Sequence, residues 1–452
     1  MAESLQPSRW AIQLRELHDR IARRFARPEP RQRALGYFKA LISPCERKNG
    51  WQIAEAAGER TPDGMQRLMG TSRWDAGEVR DDLRDYVVEH LGNPQSGVLI
   101  VDETGFLKRG QSSVGVSRQY SGTAGGVDNC QVGVFLAYAS EKGTAFIDRA
   151  LYLPRDWAND EARRAEAGIP EEVQFSTKPA LARKMLERAF QTGVPASWVT
   201  TDALYGSNRA FRMFLERCEQ PFVVAVKSDE SLWTLEETRG PRQERAGKLA
   251  SEISSEHWRR LSAGDGSKGP RLYEWALRPI FRLQLTEEER RWGHWLLVRR
   301  NLEDPQEMDY YVVYAPRQST TLEAVVRVAG TRWRIENGFS EAKDGFGLDD
   351  YQVRSWVGWH RHITLSLLAH AFVSVMRSHQ AAQEPGALED LLPTTVPEVR
   401  RLMCSLLLAR LPEEGAVVGW SRWRRSHQLR AKRCHQRRHQ RRHQRRHRLE
   451  CA

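Results

Sequence analysis

The sequence predicts an α/β protein with a partly parallel sheet, helices before it and a helical, basic C-terminal tail after it. The main observation is that strand-like apolar runs alternate with helical patterns between residues 96 and 227, as they do in β-α-β units. In addition, residues 1–95 repeat their apolar positions at helical spacing. Residues 228–310 are charged and punctuated by glycine and proline, with strand-like runs late on. We therefore expect an α/β core that is interrupted by a β-rich insertion.

The N-terminal region contains two amphipathic patterns, WAIQLRELHDRIARRF and RDDLRDYVVEHL. Between them, NGWQIAEAAGERTPDGMQRLMG shows two short helical patterns around a break rich in glycine and proline. Two interpretations remain open. The segment could be a helix-turn-helix that touches DNA, or a small helical bundle that packs on the next domain.

Two acidic residues follow apolar strands. GVLIVDETG predicts a strand that ends in Asp102, and SWVTTDALYG predicts a second that closes on Asp202. Functional side chains gather at strand ends in α/β sheets, but an isolated strand-end aspartate is more often a turn former or a helix N-cap. Glu103 and Asp128 are weaker candidates. Glu103 would point to the opposite face from Asp102 if the strand continued.

A third acid lies in the segment Gly330–Arg354, GTRWRIENGFSEAKDGFGLDDYQVR, which we predict to be helical. At about 100° per residue, Arg332 lies about 40° from Glu336 and Lys343 about 20° from it on the other side. One carboxylate would then lie between two cations on a single stripe. A solvent-exposed face with ion pairs explains the same pattern.

Together, Asp102, Asp202 and Glu336 predict a metal site. Three converging carboxylates cannot all stay ionised without a cation between them, and hard oxygen ligands suit Mg²⁺ or Mn²⁺. Two such ions about 4 Å apart support in-line attack on a phosphodiester. Arg332 and Lys343 would position the DNA backbone. The residues therefore predict metal-dependent phosphodiester chemistry.

The net charge of +12 is concentrated at the C-terminus. Residues 421–452 contain twelve Arg, one Lys and one Glu, so residues 1–420 are neutral overall. The repeat HQRRHQRRHQRRH has a period of four, which drifts around a helix of 3.6 residues per turn. We expect this tail to be disordered and to bind polyanions through charge alone.

Other features argue against several classes of protein. The sequence has no run of eighteen apolar residues, so we predict no membrane span. Its N-terminus lacks the apolar core of a signal peptide. Six cysteines are scattered without C-x-x-C spacing, which argues against a zinc site or a disulfide framework. We expect a protein of the cytoplasm.

Three blocks, VDETGFLKRG, TDALYG and RWRIENGFSEAKDGFGLDDYQVRSWVGWHRHITL, resemble the signature blocks of insertion-sequence DDE transposases. The resemblance is to the IS-four superfamily and within it to the branch numbered seven hundred and one. That superfamily has a tyrosine, arginine, glutamate and lysine signature around its third acid. Arg332, Glu336 and Lys343 fit the spacing, whereas Ala329 occupies the position of the tyrosine.

The resemblance implies a ribonuclease H-like core in which Asp102, Asp202 and Glu336 are catalytic and bind two Mg²⁺ ions, with Mn²⁺ able to substitute. Arg332 and Lys343 would bind DNA. The implied reaction is nicking at the ends of the insertion sequence followed by strand transfer, as in cut-and-paste transposition. The partners would be double-stranded DNA, as terminal inverted repeats and target, and a second copy in a homodimeric synaptic complex. The location would be the bacterial cytoplasm, at the nucleoid.

Two alternatives stay open. A ribonuclease H-like metal nuclease could cut without joining, and a non-catalytic relic could bind DNA alone.

The predicted organisation has six parts, in chain order. They are an N-terminal helical domain with DNA contact (1–95), the first part of the core (96–227), the β-rich insertion (228–310), the second part of the core with the Glu336 helix (311–380), a C-terminal helical region (381–434) and the low-complexity basic tail (435–452).

Overall fold

The computed structural model describes residues 7–236, 240–266, 269–383, 394–408 and 414–450. Within the described residues, the N-terminal region is helical, as its apolar spacing predicts, and it contains five helices, of which the second has no counterpart among the predicted patterns. They are α1 (Pro7–Ala22), α2 (Pro28–Ile42), α3 (Gly50–Ala56), α4 (Asp63–Met69) and α5 (Ala76–Leu91). The two short helices of the glycine- and proline-rich segment are α3 and α4, and the side chain of Asn49 caps α3 by accepting from the N–H groups of Trp51 and Gln52.

The core sheet begins with six strands. They are β1 (Val98–Leu107), β2 (Ser117–Ser121), β3 (Gly126–Ala139), β4 (Thr144–Tyr152), β5 (Trp198–Thr201) and β6 (Phe222–Val226). Strand β3 pairs antiparallel with β1, β2 and β4, whereas β1, β5 and β6 are parallel neighbours. The order β4-β3-β1-β5-β6, in which β3 alone runs against the other four, is the ribonuclease H-like arrangement. The predicted α/β class is confirmed.

Helices connect the parallel strands. Between β4 and β5 lie α6 (Arg155–Ala158), α7 (Glu161–Ala167) and α8 (Lys178–Gln191), and between β5 and β6 lie α9 (Ala203–Gly206) and α10 (Arg209–Arg217). Helix α8 buries Ala182, Met185, Leu186 and Ala189, and it packs against β3 and β4.

Strand β1 is longer than the sequence predicts. Its parallel pairing with β5 ends at Val101 and Thr201, but β3 pairs with β1 as far as Leu107. The prediction that the strand ends at Asp102 is therefore wrong, because a long antiparallel partner continues the ladder after the parallel one has ended. Asp102 is the first residue of β1 beyond its pairing with β5.

The insertion is rich in β structure. Its elements are the hairpin β7 (Ser231–Glu236) and β8 (Gly240–Arg245), helix α11 (Ala246–Ser251), strands β9 (Arg259–Gly266) and β10 (Gly269–Pro279), helix α12 (Glu287–Arg290), and strands β11 (Trp292–Arg300) and β12 (Met308–Pro316). Strand β12 pairs antiparallel with β6, and the order β6-β12-β11-β10-β9 extends the core sheet. Strand β12 also crosses the boundary that the sequence places at residue 310.

The segment around Glu336 forms two helices instead of one. Helix α13 (Leu322–Thr331) ends just before Arg332, and α14 (Trp333–Phe346) follows it. A Cβ atom on Gly330 would lie 2.1 Å from the carbonyl oxygen of Ala263, so α13 approaches β9 through a glycine. Gly347, at φ 67°, ends α14 in the left-handed conformation. The prediction of a continuous helix over Gly330–Arg354 is corrected accordingly.

Helix α15 (Trp356–Gln383) spans 28 residues, and its central residues are buried. It is followed by α16 (Val396–Met403), a π-helical turn (Cys404–Leu408) and α17 (Glu414–Glu450). Helix α17 continues through the basic repeat, which differs from the disorder that the sequence predicts. Arg and Gln are good helix formers, and the repeat contains no glycine or proline. Among the described residues, no helix is long and apolar enough to span a bilayer.

Candidate active site

Asp102 and Asp202 lie close together because their strands are parallel neighbours. The register pairs Val101 with Thr201, and Asp102 and Asp202 are the residues that directly follow these two partners. Asp202 also caps α9, where its Oδ1 accepts from the N–H of Leu204 at 3.0 Å and from that of Tyr205 at 3.4 Å. One carboxylate oxygen from each of Asp102, Glu103 and Asp202 lies within 4.8 Å of the other two. The sheet thus assembles two of the predicted acids.

Crowding and burial change the acidity of this cluster. Burial, and next the charge of Asp202, raise the pKa of Asp102 to about 7, while the nearby Arg332 lowers it. Burial and the charge of Glu103 raise the pKa of Asp202 as well. Carboxylates that repel one another in a buried place are stabilised by a cation, and an oxygen-only donor set is the kind that Mg²⁺ and Mn²⁺ prefer. The cluster therefore fits a hard divalent ion.

Glu103 belongs to this cluster. The strand continues past it, a case in which the sequence predicts that Glu103 points to the opposite face from Asp102. Its Oε1 accepts from Lys178 Nζ at 2.8 Å and its Oε2 accepts from the Tyr205 hydroxyl at 2.5 Å. Burial, and next the charge of Glu103, raise the pKa of Tyr205 well above its usual value. The sequence indicates Glu103 only as a weaker candidate and does not point to Lys178 or Tyr205. The available signal was that Tyr205 lies one helical turn after Asp202.

Glu336 reaches the aspartates through Arg332. Arg332 Nη2 lies 2.8 Å from Glu336 Oε1, and Nη1 lies 3.6 Å from Asp102 Oδ2. The Glu336 side chain is 44% exposed, and among the described residues it is not part of the 4.8 Å group. Burial lowers the pKa of Arg332, but Glu336 and Asp102 outweigh it and the net shift is upward. The guanidinium therefore links the third acid to the first.

Lys343 is held by β1 and by the turn that follows β2. Its Nζ donates to Thr104 Oγ1 at 2.8 Å, to Thr123 Oγ1 at 3.1 Å and to the carbonyl oxygen of Gly105 at 3.3 Å. Burial lowers the pKa of this lysine. The two cations of the predicted stripe thus contact different groups, since Arg332 touches the acids whereas Lys343 ties α14 to β1.

A cleft of about 530 Å³ opens beside Asp202 and Arg332. Insertion strands and α13 form its walls, which carry both arginines and aromatic side chains. The residues concerned include Arg271, Arg299, Tyr273, Tyr311 and Trp333. The Arg271 guanidinium lies 4.9 Å from the centre of the Trp333 ring. Ala329, at the position of the signature tyrosine, is buried and also lines this cleft. The insertion therefore places basic and aromatic groups next to the acids.

The ribonuclease H-like sheet gathers acidic side chains beside basic ones, and such a set of hard oxygen donors suits a metal-dependent nuclease. The chain belongs to the DDE transposases of insertion sequences. Residues 20–269, more than half of the chain, match the family described as DDE superfamily endonuclease. Residues 176–372 match the family described as transposase DDE domain. The predicted family is confirmed.

The chain is also similar to a curated relative and to a solved structure. The relative is described as a probable transposase for insertion sequence element IS701 from Microchaete diplosiphon. It is 27% identical over 338 residues, which cover 72% of this chain and 78% of the relative. The solved structure is a piggyBac transposase synaptic complex with hairpin DNA. It is 12% identical with a TM-score of 0.41, over 86% of this chain and 76% of that one.

Proposed function

We propose that this protein nicks DNA at the ends of its insertion sequence and joins those ends to target DNA, in cut-and-paste transposition. Asp102, Asp202 and Glu336 are the proposed catalytic acids. The observation that carries this proposal is the pairing of Val101 with Thr201, which brings Asp102 and Asp202 together. Arg332 then connects Glu336 to the pair.

The same three acids are the proposed ligands of two Mg²⁺ ions, for which Mn²⁺ can substitute. Bound ions of this kind activate the attacking water or 3′-hydroxyl and stabilise the leaving oxygen. The carboxylates contribute the negative charge and the hard oxygens that such ions require. For the neighbouring Glu103 we propose a structural role. It accepts hydrogen bonds from Lys178 and Tyr205, which connect β1 to α8 and α9.

Arg332 and Lys343 are the proposed contacts to the DNA backbone. Arg332 lines the cleft beside Asp202, and its planar guanidinium can pair with a phosphate through two parallel hydrogen bonds. Lys343 lies on the same stripe of α14 as Glu336, about two turns further along, and supplies a single positive charge beside Thr104 of β1. A DNA strand that contacts both residues would pass in front of Glu336.

The proposed partners are double-stranded DNA, as terminal inverted repeats and as target, and a second copy of the chain in a synaptic complex. Joining two ends of one element to a target in a single event requires both ends to be held together, which a homodimer achieves by symmetry. The proposed location is the bacterial nucleoid, where both DNA partners are found.

A strand-transfer assay tests the proposal. Labelled DNA that carries the sequences flanking the reading frame is incubated with target plasmid and Mg²⁺, and nicked and joined products are separated on denaturing gels. We expect nicks at the element ends and joint molecules. Free 3′ ends without joint products would favour a nuclease that only cuts.

The acids are tested in the same assay with Glu336→Gln and a matched control, Asp344→Asn. Asp344 is an exposed acid on the same helix that accepts a hydrogen bond from Ser340. We expect loss of nicking in the first variant and full activity in the second. Unchanged Mg²⁺-dependent nicking by Glu336→Gln would exclude Glu336 as a catalytic acid.

A further inference from the structure

Helix α17 is anchored on the N-terminal helices by an aromatic cluster. The Trp51 ring, on α3, lies 4.7 Å from the Trp423 ring and 4.5 Å from the His427 ring, between ring centres. The rings of Trp423 and His427 stack at 5.3 Å with an interplanar angle of 23°. Trp420 packs edge-on against Trp423 at 5.4 Å. These contacts fix one face of α17 to α3.

Polar contacts reinforce the anchor. Trp420, only 4% exposed, donates from its indole N–H to the carbonyl oxygen of Glu59 at 2.9 Å. Arg424 donates to the carboxylate of Glu55 at 2.6 Å. The buried indole contributes most, because a half-exposed ion pair adds little stability. The orientation of α17 relative to α3 is therefore defined by specific contacts.

The opposite face of α17 is basic. At about 100° per residue, the anchoring side chains at 420, 423, 424 and 427 centre on one direction. Arg422, Arg425, Lys432 and Arg433 lie within about 50° of the reverse direction. All four are exposed. The helix thus has an aromatic face that is used within the protein and a cationic face that is left to solvent.

The backbone of α17 continues well past the anchor. From His427 to Glu450 the helix is roughly 35 Å long at about 1.5 Å per residue. That length is close to one turn of B-form DNA, about 34–36 Å. The net charge of the whole chain, +12, lies within residues 421–452. The strongest positive charge of the protein is therefore carried by a helix that starts at a fixed point.

We propose that α17 is a rigid arm that binds double-stranded DNA, positioned by Trp51, Trp423 and His427. Arginine forks match phosphate geometry, and the major groove of B-DNA admits an α-helix. A bilayer surface fits less well, because an interfacial helix needs exposed aromatic or leucine side chains opposite its charges, and here the aromatic rings face α3. An RNA duplex fits less well, because its major groove is deep and narrow. This proposal does not depend on the proposed function.

The first experiment uncouples the arm from its anchor while keeping every charge. A Gly-Ser-Gly-Ser insertion between His427 and Gln428 is compared with the same insertion after Ala452. Binding of a 30-base-pair duplex of unrelated sequence is measured by fluorescence anisotropy, in EDTA and at near-physiological salt. We expect about tenfold weaker binding for the internal insertion, because preorganisation is lost, and no change for the terminal one. Equal affinity in both variants would show that charge alone acts and would overturn the proposal.

The second experiment removes charges from the exposed face. The triple variant Arg425→Gln, Lys432→Gln and Arg433→Gln keeps good helix formers, and should lower the slope of log affinity against log salt by roughly 2–3, at about 0.9 per phosphate contact. The matched control removes three exposed charges from α8 and α10, as Lys184→Gln, Arg209→Gln and Arg217→Gln. An equal loss of slope in the control would overturn the proposal.

Competition identifies the partner and separates this proposal from the catalytic one. The labelled duplex is competed with an RNA duplex of the same sequence and with vesicles that contain phosphatidylserine. Stronger competition by either would overturn the assignment to DNA. Because binding is measured in EDTA, Glu336→Gln should bind like the unaltered chain. If Glu336→Gln loses cleavage but binding still depends on α17, both the catalytic proposal and the α17 proposal are supported. If binding does not depend on α17, the α17 proposal alone is overturned.

Discussion

Two regions contribute acids to the proposed active site, and they hold them in different ways. Asp102 and Asp202 come from adjacent parallel strands, and backbone pairing brings them together. Glu336 comes from α14 and is connected by the side chain of Arg332. A sheet fixes its side chains through many backbone hydrogen bonds, whereas α14 is held by packing and by side-chain contacts such as the Arg332–Glu336 ion pair and the bonds from Lys343 to β1. The sheet acids should therefore tolerate distant changes that displace the helix acid.

The largest expected effect is that of Asp102→Asn. Nicking should fall by roughly 10³-fold or more, which corresponds to about 4 kcal/mol of activation free energy, because a charged oxygen ligand is lost. Thermal stability should stay equal or rise, because burial and Asp202 both oppose the charge of Asp102. Single-turnover cleavage and thermal melting measure the two quantities. Retained activity together with a lower melting temperature would indicate a structural role only.

Next in size is the effect of Gly330→Ala, which tests the helical region that carries Arg332 and Glu336 and leaves the strands of Asp102 and Asp202 unchanged. The new methyl group would meet the backbone of Ala263, and overpacking of this kind costs about 1–3 kcal/mol. We expect α13 to move away from β9 and nicking to fall by about tenfold or more. The matched control is Gly345→Ala on α14, where a Cβ meets only the flexible Arg400 side chain at 3.4 Å. Equal activity in both variants would contradict a site that depends on this close approach.

Glu103→Gln should mainly lower stability. It weakens the ion pair with Lys178 and the bond from Tyr205, and bonds to charged groups contribute about 1.5–3 kcal/mol. We expect a lower melting temperature and a smaller loss of nicking than in Glu336→Gln. The reverse order, with Glu103→Gln the less active variant, would make Glu103 the third metal ligand in place of Glu336.

The smallest expected effect is that of Lys343→Met. The variant keeps the apolar stem but loses donation to Thr104 and Thr123, which should cost about 1 kcal/mol. DNA affinity should fall by less than tenfold, and the salt slope should fall by about one phosphate contact. An unchanged salt slope with an unchanged affinity would exclude Lys343 as a DNA contact. Measuring both in EDTA keeps binding separate from chemistry.

Residues close in sequence account for the predictions that agree with the structure. The i,i+4 spacing of Arg332 and Glu336 predicts an ion pair, and the two groups lie 2.8 Å apart. Apolar runs before Asp102 and Asp202 predict two strands, and the alternation with helices predicts that the strands are parallel. The assignment of Asp102, Asp202 and Glu336 as catalytic residues, and the boundaries between domains, stay predictions.

Contacts between residues that are distant in sequence account for the differences between the predicted and the observed structure. The β3 ladder carries β1 past Asp102, and β12 pairs with β6 to join the insertion to the core sheet. The approach of Gly330 on α13 to Ala263 and the docking of α17 on Trp51 likewise join residues that are far apart in sequence. Local periodicity is enough to predict the alternation of strands and helices in the core, the acids that follow two of the strands and the ion pair between Arg332 and Glu336. Which strands continue, which acids cluster and where the basic helix is anchored follow from tertiary contacts, because those outcomes depend on partners that local patterns do not encode.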